Sequence, residues 1–376
     1  MLFETFNRTN FEHKKRCQTS YEFLNNSSWK ISEFSRNILE KFCKNYLVDE
    51  EFIKMFKSKS NKQHDSAIFE IMVYTCLKNS NFIIKKHPIT KTGKRPDFEI
   101  NLDDYSKIYL ECTLSGHSIE NEDEKNRKET VEEIIENIDF FPYFINLDFI
   151  KISKKSISKK RLINFIKQTK DICDIYSDEQ LINIYFNYTD NDWIINLSFF
   201  RKKNLIKRSL GFISDEPKII EKSKAILTAL NDKKATKYGI ENEPYIICVS
   251  INDISITEND ISEILFGQYN ISLIDLSKST NGFWTSNIKP FNSTVSAIIF
   301  FKNFNLFALE NSEISIWHNP FAKNKLKHGI LPFDEYLFEN TNNFITMSKV
   351  KKDKDVFDLL KINKSDYISM NKKESI

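Results

Sequence analysis

Glycine is scarce: seven occur in 376 residues, and none falls in a GxGxxG or GxxxxGK[ST] pattern. Gly-rich phosphate cradles are thereby excluded as a route to nucleotide binding. Cys17, Cys43, Cys76, Cys112, Cys173 and Cys248 include no CxxC pair. This removes zinc-ribbon and dithiol redox motifs and leaves reduced, buried thiols as the economical expectation. No uninterrupted apolar window reaches the roughly 18 residues of a membrane span. At the N-terminus Asn7, Arg8, Glu12, His13, Lys14 and Lys15 break any signal-peptide core, so a cytoplasmic protein without membrane contact is expected. Neither charge sign dominates, since 55 Lys and Arg against 52 Asp and Glu leave +3. That balance gives no argument for nucleic-acid binding from the total, and only local clusters can supply one.

Apolar residues are plentiful at 40%, with 13% aromatic, enough for a sizeable core. Apolar spacings of three and four predict a helix over Ser28–Tyr46 after a poorly ordered start, then a short helix over Asp49–Phe56. A third helix is predicted over Asp65–Leu77, and a short strand at Asn81–Lys85 ends near His87-Pro88. Strands at Asp97–Leu102 and Lys107–Thr113 flank a polar turn at Asp103-Asp104-Tyr105-Ser106. A charged helix is predicted over Glu120–Glu136, with strands near Tyr143–Ile150, Leu181–Tyr188 and Asp192–Phe200. A helix over Pro217–Tyr238 leads to Pro244–Ile251, whose unbroken apolar run marks a strand buried on both faces. The remainder predicts a helix at Glu258–Leu265, strands at Val295–Phe301 and Ile314–Pro320, and a mobile Lys-rich tail from Lys349. His318, just before Asn-Pro, reads as a turn residue.

Three carboxylates stand where folding alone favours apolar residues. Glu70 falls among Ala67, Val73, Tyr74 and Leu77 on its helix, and an isolated buried carboxylate costs several kcal/mol. A rim position paired with a Lys is the alternative. Strand alternation puts Asp97 with Glu99 on one face of its strand, and Tyr109, Glu111 and Thr113 on one face of the next. Two acids on adjacent strands and a third on a covering helix form a hard-oxygen set suited to a divalent ion such as Mg2+, which keeps several waters. The Cys112 backbone carbonyl is a further candidate ligand. Such an ion activates water and offsets charge developing on a scissile phosphate.

Glu70 on a helix, then Arg95-Pro96-Asp97, then Tyr109-Leu110-Glu111-Cys112-Thr113 resembles the PD-(D/E)xK nuclease superfamily. The detailed match covers about 62–113. More loosely, the lead-in helices and the Pro217–Ile251 pair resemble bacterial proteins built on the same core. The resemblance implies a restriction-endonuclease-like α/β (α+β) fold, a mixed sheet flanked by helices. It divides the chain into a helical lead-in over 1–60, a nuclease core over 61–255 interrupted by an insertion around 115–215, and a C-terminal α/β elaboration over 256–376 packed on the core. It implies Mg2+ or Mn2+ held by Asp97, Glu111, Cys112 and Glu70, and hydrolysis of phosphodiester bonds, in DNA first and with RNA and a homodimer left open. Roles in restriction, repair or anti-phage defence fit equally.

The family's Lys two residues after the second acid is here Thr113, which carries no charge. Candidates to replace it are Lys94 and the helix lysines Lys233, Lys234 and Lys237, with Lys94 and Lys234 carried as site residues. Lys107 shares the face of Glu111 but stands about 14 Å away along the strand. Lys94, Arg95 and the cluster Lys154, Lys155, Lys159, Lys160 and Arg161 are the expected phosphate contacts. Two other readings stay open. One is a catalytically inactive nuclease-fold protein that binds nucleic acid or a partner. The other is an accidental motif whose acids form surface ion pairs.

Overall fold

A computed structural model describes the chain except residues 16–17, 103–105, 117–118, 182, 203–208, 212–218, 254, 268–272, 276–280, 287–288, 342–343 and 373–376. Cys17, the start of the expected turn at 103–105 and Pro217 therefore lie outside the described residues. The chain forms two compact units, one of Met1–Glu12, Thr19–Gly116 and Lys218–Ile376, the other of His13–Gln18 and His117–Pro217.

The first unit opens with four helices, α1 (Ser20–Asn26), α2 (Lys30–Tyr46), α3 (Glu50–Phe56) and α4 (Asn61–Asn79). Strands β1 (Ile83–Lys86), β2 (Phe98–Asn101) and β3 (Lys107–Leu114) follow. The second unit supplies α5 (Ile119–Glu136), β4 (Tyr143–Lys151), α6 (Lys159–Cys173), α7 (Asp178–Leu181), β5 (Phe186–Asp190) and β6 (Trp193–Arg201). Its sheet runs β4-β6-β5, antiparallel throughout, over a core that includes Trp193, Ile195, Leu197 and Phe199. The chain then returns to the first unit through α8 (Ile219–Asp232), β7 (Tyr245–Ile251), α9 (Glu258–Phe266), β8 (Leu273–Asp275), β9 (Thr285–Ser286), β10 (Lys289–Pro290), β11 (Ala297–Lys302), β12 (Glu313–His318), β13 (Asp334–Thr341), β14 (Phe344–Val350), α10 (Val356–Leu360) and α11 (Lys364–Lys372).

The first unit is a mixed nine-stranded sheet flanked by helices, in the order β1-β2-β3-β7-β11-β12-β13-β14-β8. Its centre is parallel, with β3 and β11 on either side of β7. Every residue of β7 is buried, as its apolar run requires. Alternation divides that strand between two cores: Ile246 and Cys248 face the core shared with α2 and α4, while Tyr245, Ile247 and Val249 face the core shared with α8 and α9. No described helix is long and apolar enough to cross a membrane, and the five described cysteines are free.

Several expectations are corrected. Within the start expected to be poorly ordered, Leu2 and Phe3 are packed, because their N–H groups donate to Glu40 Oε1 at 2.7 and 3.1 Å and both side chains are buried. The tail folds into α10 and α11, which bury Phe357 and Tyr367. The strand expected over Leu181–Tyr188 starts instead at Phe186, after α7. The helix expected to run to Tyr238 stops at Asp232, and a 3-10 turn at Ala235–Lys237 follows.

His318 is no turn residue either. It ends β12 in a buried position, with Nε2 3.1 Å from Glu335 Oε2. Glu335 also accepts from the Gly329 N–H at 2.8 Å and faces Lys352 Nζ at 3.4 Å. Burial lowers the imidazole pKa to about 4, Glu335 opposing and the nearby His328 adding to the drop. The unfolded chain, with His near its ordinary 6.5, therefore takes up the proton first as pH falls. This contribution is complete above about pH 6.5 and is lost down to about pH 4, on the order of 3 kcal/mol in all. Urea unfolding at pH 7.5 and 5 should show a larger loss of stability in the wild type than in His318→Gln; equal losses would contradict it.

Candidate functional site

Helix α4 contains neither Gly nor Pro, and its N-cap Ser60 accepts from the Gln63 N–H. Its regular path carries Glu70 into the protein beside Ala67, Val73 and Leu77, leaving the residue 6% exposed. The carboxylate is not orphaned. Tyr46, the last residue of α2, donates its hydroxyl to Glu70 Oε1, and His87 Nε2 lies 3.4 Å from the same oxygen. Tyr46 is held in turn by Lys86, whose ammonium lies 3.8 Å from the ring centroid and donates to the Leu47 carbonyl at 2.9 Å.

His87 follows β1 directly. Its N–H donates to the Asp97 carbonyl at 2.9 Å, extending the β1–β2 ladder by one rung beyond Lys86 and Phe98. Its φ of +44° is a left-handed conformation costly for a residue with a Cβ. Such strain concentrates where a side chain must be aimed at a site.

Asp97 immediately precedes β2 rather than lying within it. Its Oδ2 accepts from the Cys112 N–H at 2.6 Å, and its own N–H donates to Glu111 Oε2 at 3.2 Å. These two bonds tie the Asp97 corner to the middle of β3. Glu111 is 2% exposed. Its Oε1 is in contact with the Lys233 ammonium, and the Tyr238 hydroxyl also bonds to the carboxylate. Lys233 is positioned by the end of α8 and by Tyr245, whose hydroxyl donates to the Lys233 carbonyl at 2.8 Å.

Glu70, His87 and Asp97 each offer one ligand atom, and the three atoms lie within 4.8 Å of one another. They are the group that could hold a metal ion among the described residues. Electrostatics suit that role. Burial raises the Asp97 pKa well above the usual carboxylate range, with Glu111 and Glu70 adding repulsion and Lys233 opposing. Burial raises Glu70 too, while the Tyr46 hydroxyl and His87 draw it down. For Lys233, burial favours the neutral amine, but Glu111 and Asp97 outweigh it and hold the ammonium charged. Burial and mutual repulsion thus disfavour ionised Asp97 and Glu70 despite Lys233 beside Asp97 and Lys86 near Glu70, a cost that a bound divalent cation would offset.

The expected ligand set differs from this one. Glu70 and Asp97 do converge, but their third partner is His87, while Glu111 is occupied by Lys233 and the Asp97 N–H. Cys112 contributes its N–H to Asp97 and stands opposite Cys248 in the β3–β7 register. Thr113 is half-buried opposite Val249. Lys233 is the lysine beside Glu111, whereas Lys234 places its ammonium 5.0 Å from the Phe291 ring centroid. Lys94 and Arg95 are exposed on the loop before Asp97. Lys107 pairs with Glu99 at 3.2 Å.

The basic cluster belongs to the second unit, where Arg161 pairs with Asp190 at 2.7 Å and Lys155 with Asp192 at 3.3 Å. Lys154, Lys159 and Lys160 are exposed. No protein-family model, curated protein or solved structure matches the chain.

Proposed function

We propose that the chain is a metal-dependent nuclease of the PD-(D/E)xK type that hydrolyses phosphodiester bonds, with DNA as the first substrate. The observation that carries this reading is the convergence of the Glu70, His87 and Asp97 ligand atoms within 4.8 Å, with the Glu111–Lys233 pair joined to Asp97 through its N–H. Glu70, His87 and Asp97 are the residues that would hold the ion. When bound, it supplies acidification of water and neutralisation of charge developing on the phosphate. The two carboxylates suit Mg2+ or Mn2+, and the imidazole favours the transition ion of the two.

The remaining work falls to the protein's own groups. The Lys233 ammonium supplies the positive charge that Thr113 cannot, and it is fixed beforehand by Glu111 and by the Tyr245 bond to its carbonyl. A preorganised cation of this kind stabilises charge at little reorganisation cost. Tyr46 fixes the rotamer of Glu70, so that the carboxylate is aimed without the ion. The catalytically inactive alternative rested on Thr113. A lysine supplied by the end of α8 favours hydrolysis over that reading.

The test is incubation of plasmid DNA and single-stranded linear DNA, with RNA in parallel, with Mn2+, with Mg2+ and with EDTA. The proposal expects strand cleavage with either ion and none in EDTA. Cleavage that survives EDTA, or its absence on every one of these substrates with both ions, would sink it.

A further inference from the structure

We propose that the substrate of this site is single-stranded nucleic acid, one of whose bases stacks on Phe291. This rests on the nuclease reading and narrows its substrate class. Phe291 follows β10 and is 45% exposed, with the Lys234 ammonium 5.0 Å from its ring centroid. Lys234 is the neighbour of Lys233, whose ammonium contacts Glu111. An exposed aromatic capped by a cation therefore stands one residue along the chain from the lysine of the site.

Phe291 does not stand alone. The segment 233–240 is in contact with two other segments. A Cβ on Gly239, which has φ +65°, would lie 2.5 Å from Thr92 Cγ2, so the loop before Asp97 packs directly on this turn. The Lys234–Phe291 contact ties in the β9–β10 hairpin. Residues 82–96, 233–240, 285–286 and 289–291 include no acid, the exposed Asp232 and Glu241 flank the second of these stretches, and Lys91, Lys94, Arg95 and Lys289 are exposed on them.

Backbone-tracking cations beside an aromatic platform form the arrangement that binds single strands, because every unpaired base offers a π-face. In a duplex those faces are taken by neighbouring base pairs, and Phe291 has nothing to stack on. The cations alone would serve either form, so the aromatic makes the distinction.

Fluorescence anisotropy in EDTA, with an oligothymidylate of about 12 nucleotides and a duplex of the same length, tests the inference. Phe291→Ala should weaken oligothymidylate binding about tenfold or more, leave duplex binding within about twofold, and be rescued by Phe291→Trp. Unchanged oligothymidylate affinity in Phe291→Ala, or an equal loss on both probes, would overturn it. The two readings fail separately. A wild type that cleaves DNA with metal while Phe291→Ala binds oligothymidylate normally defeats the stacking inference alone. A wild type that binds neither probe and cleaves nothing defeats both.

Discussion

Asp97→Ala should reduce metal-dependent cleavage by about 1,000-fold or more, because a metal's contribution to such a transition state is several kcal/mol. Asp97 is the junction of the site: a member of the metal-capable group, the acceptor for the Cys112 N–H, and through its own N–H a donor to Glu111. Loss of folding must be separated from loss of the ion. Burial and the repulsion from Glu111 and Glu70 disfavour the ionised Asp97 side chain in the metal-free protein. Removing it relieves that cost but takes the acceptor from the Cys112 N–H, so each variant's metal-free melting temperature is the reference for its own response to Mn2+. Mn2+ should raise the melting temperature of the wild type, since an ion that binds only the folded state stabilises it. It should not raise that of Asp97→Ala. A variant that still cleaves, or that still gains stability from Mn2+, would remove Asp97 from the site.

Lys233→Met should lower the cleavage rate about 100- to 1,000-fold, the usual effect of deleting one preorganised charge-stabilising group. It also strips Glu111, 2% exposed, of its cation, a change that costs roughly 3 kcal/mol when a buried pair is broken. Lys233→Arg separates the two effects, because it preserves the charge and restores stability while displacing the cation's point of action. The expected order of activity is wild type, then Lys233→Arg, then Lys233→Met, with Mn2+ affinity retained in both variants. Substitution of Lys94 or Lys234 should cost far less. A Lys233→Met variant with wild-type turnover would mean that the ammonium serves Glu111 and not the phosphate.

The acids of the candidate site were legible in the sequence because each breaks a pattern. Glu70 interrupts an apolar helix arc, and strand alternation places Glu111 on the face away from Leu110 and Cys112. The helix-flanked mixed sheet was legible from Tyr245–Ile251, since a strand apolar at nearly every position belongs in the middle of such a sheet. What escaped depends on how chain segments end. Pro88 reads as the end of a strand and hides the rung that sets His87 beside Asp97. A helix continued to Tyr238 does not distinguish Lys233 from Lys234 or Lys237. The break at Asp232 and the distant Tyr245 hydroxyl do so. Tyr46 looked like the end of a lead-in helix because the Glu70 it serves is 24 residues away. Strands β13 and β14 carry a weak strand signal because their alternation is diluted by Asn, Thr and Glu. The helices of the tail are short, and their burial of Phe357 and Tyr367 is a tertiary effect.

Equilibrium titration of the metal-free protein with Mn2+, read by the loss of the free-ion electron paramagnetic resonance signal, tests the metal centre most directly. The account predicts saturable binding of one ion per chain, weakened at least tenfold in His87→Ala. Absence of saturable binding, or identical titrations for wild type and His87→Ala, would contradict a metal site built from Glu70, His87 and Asp97.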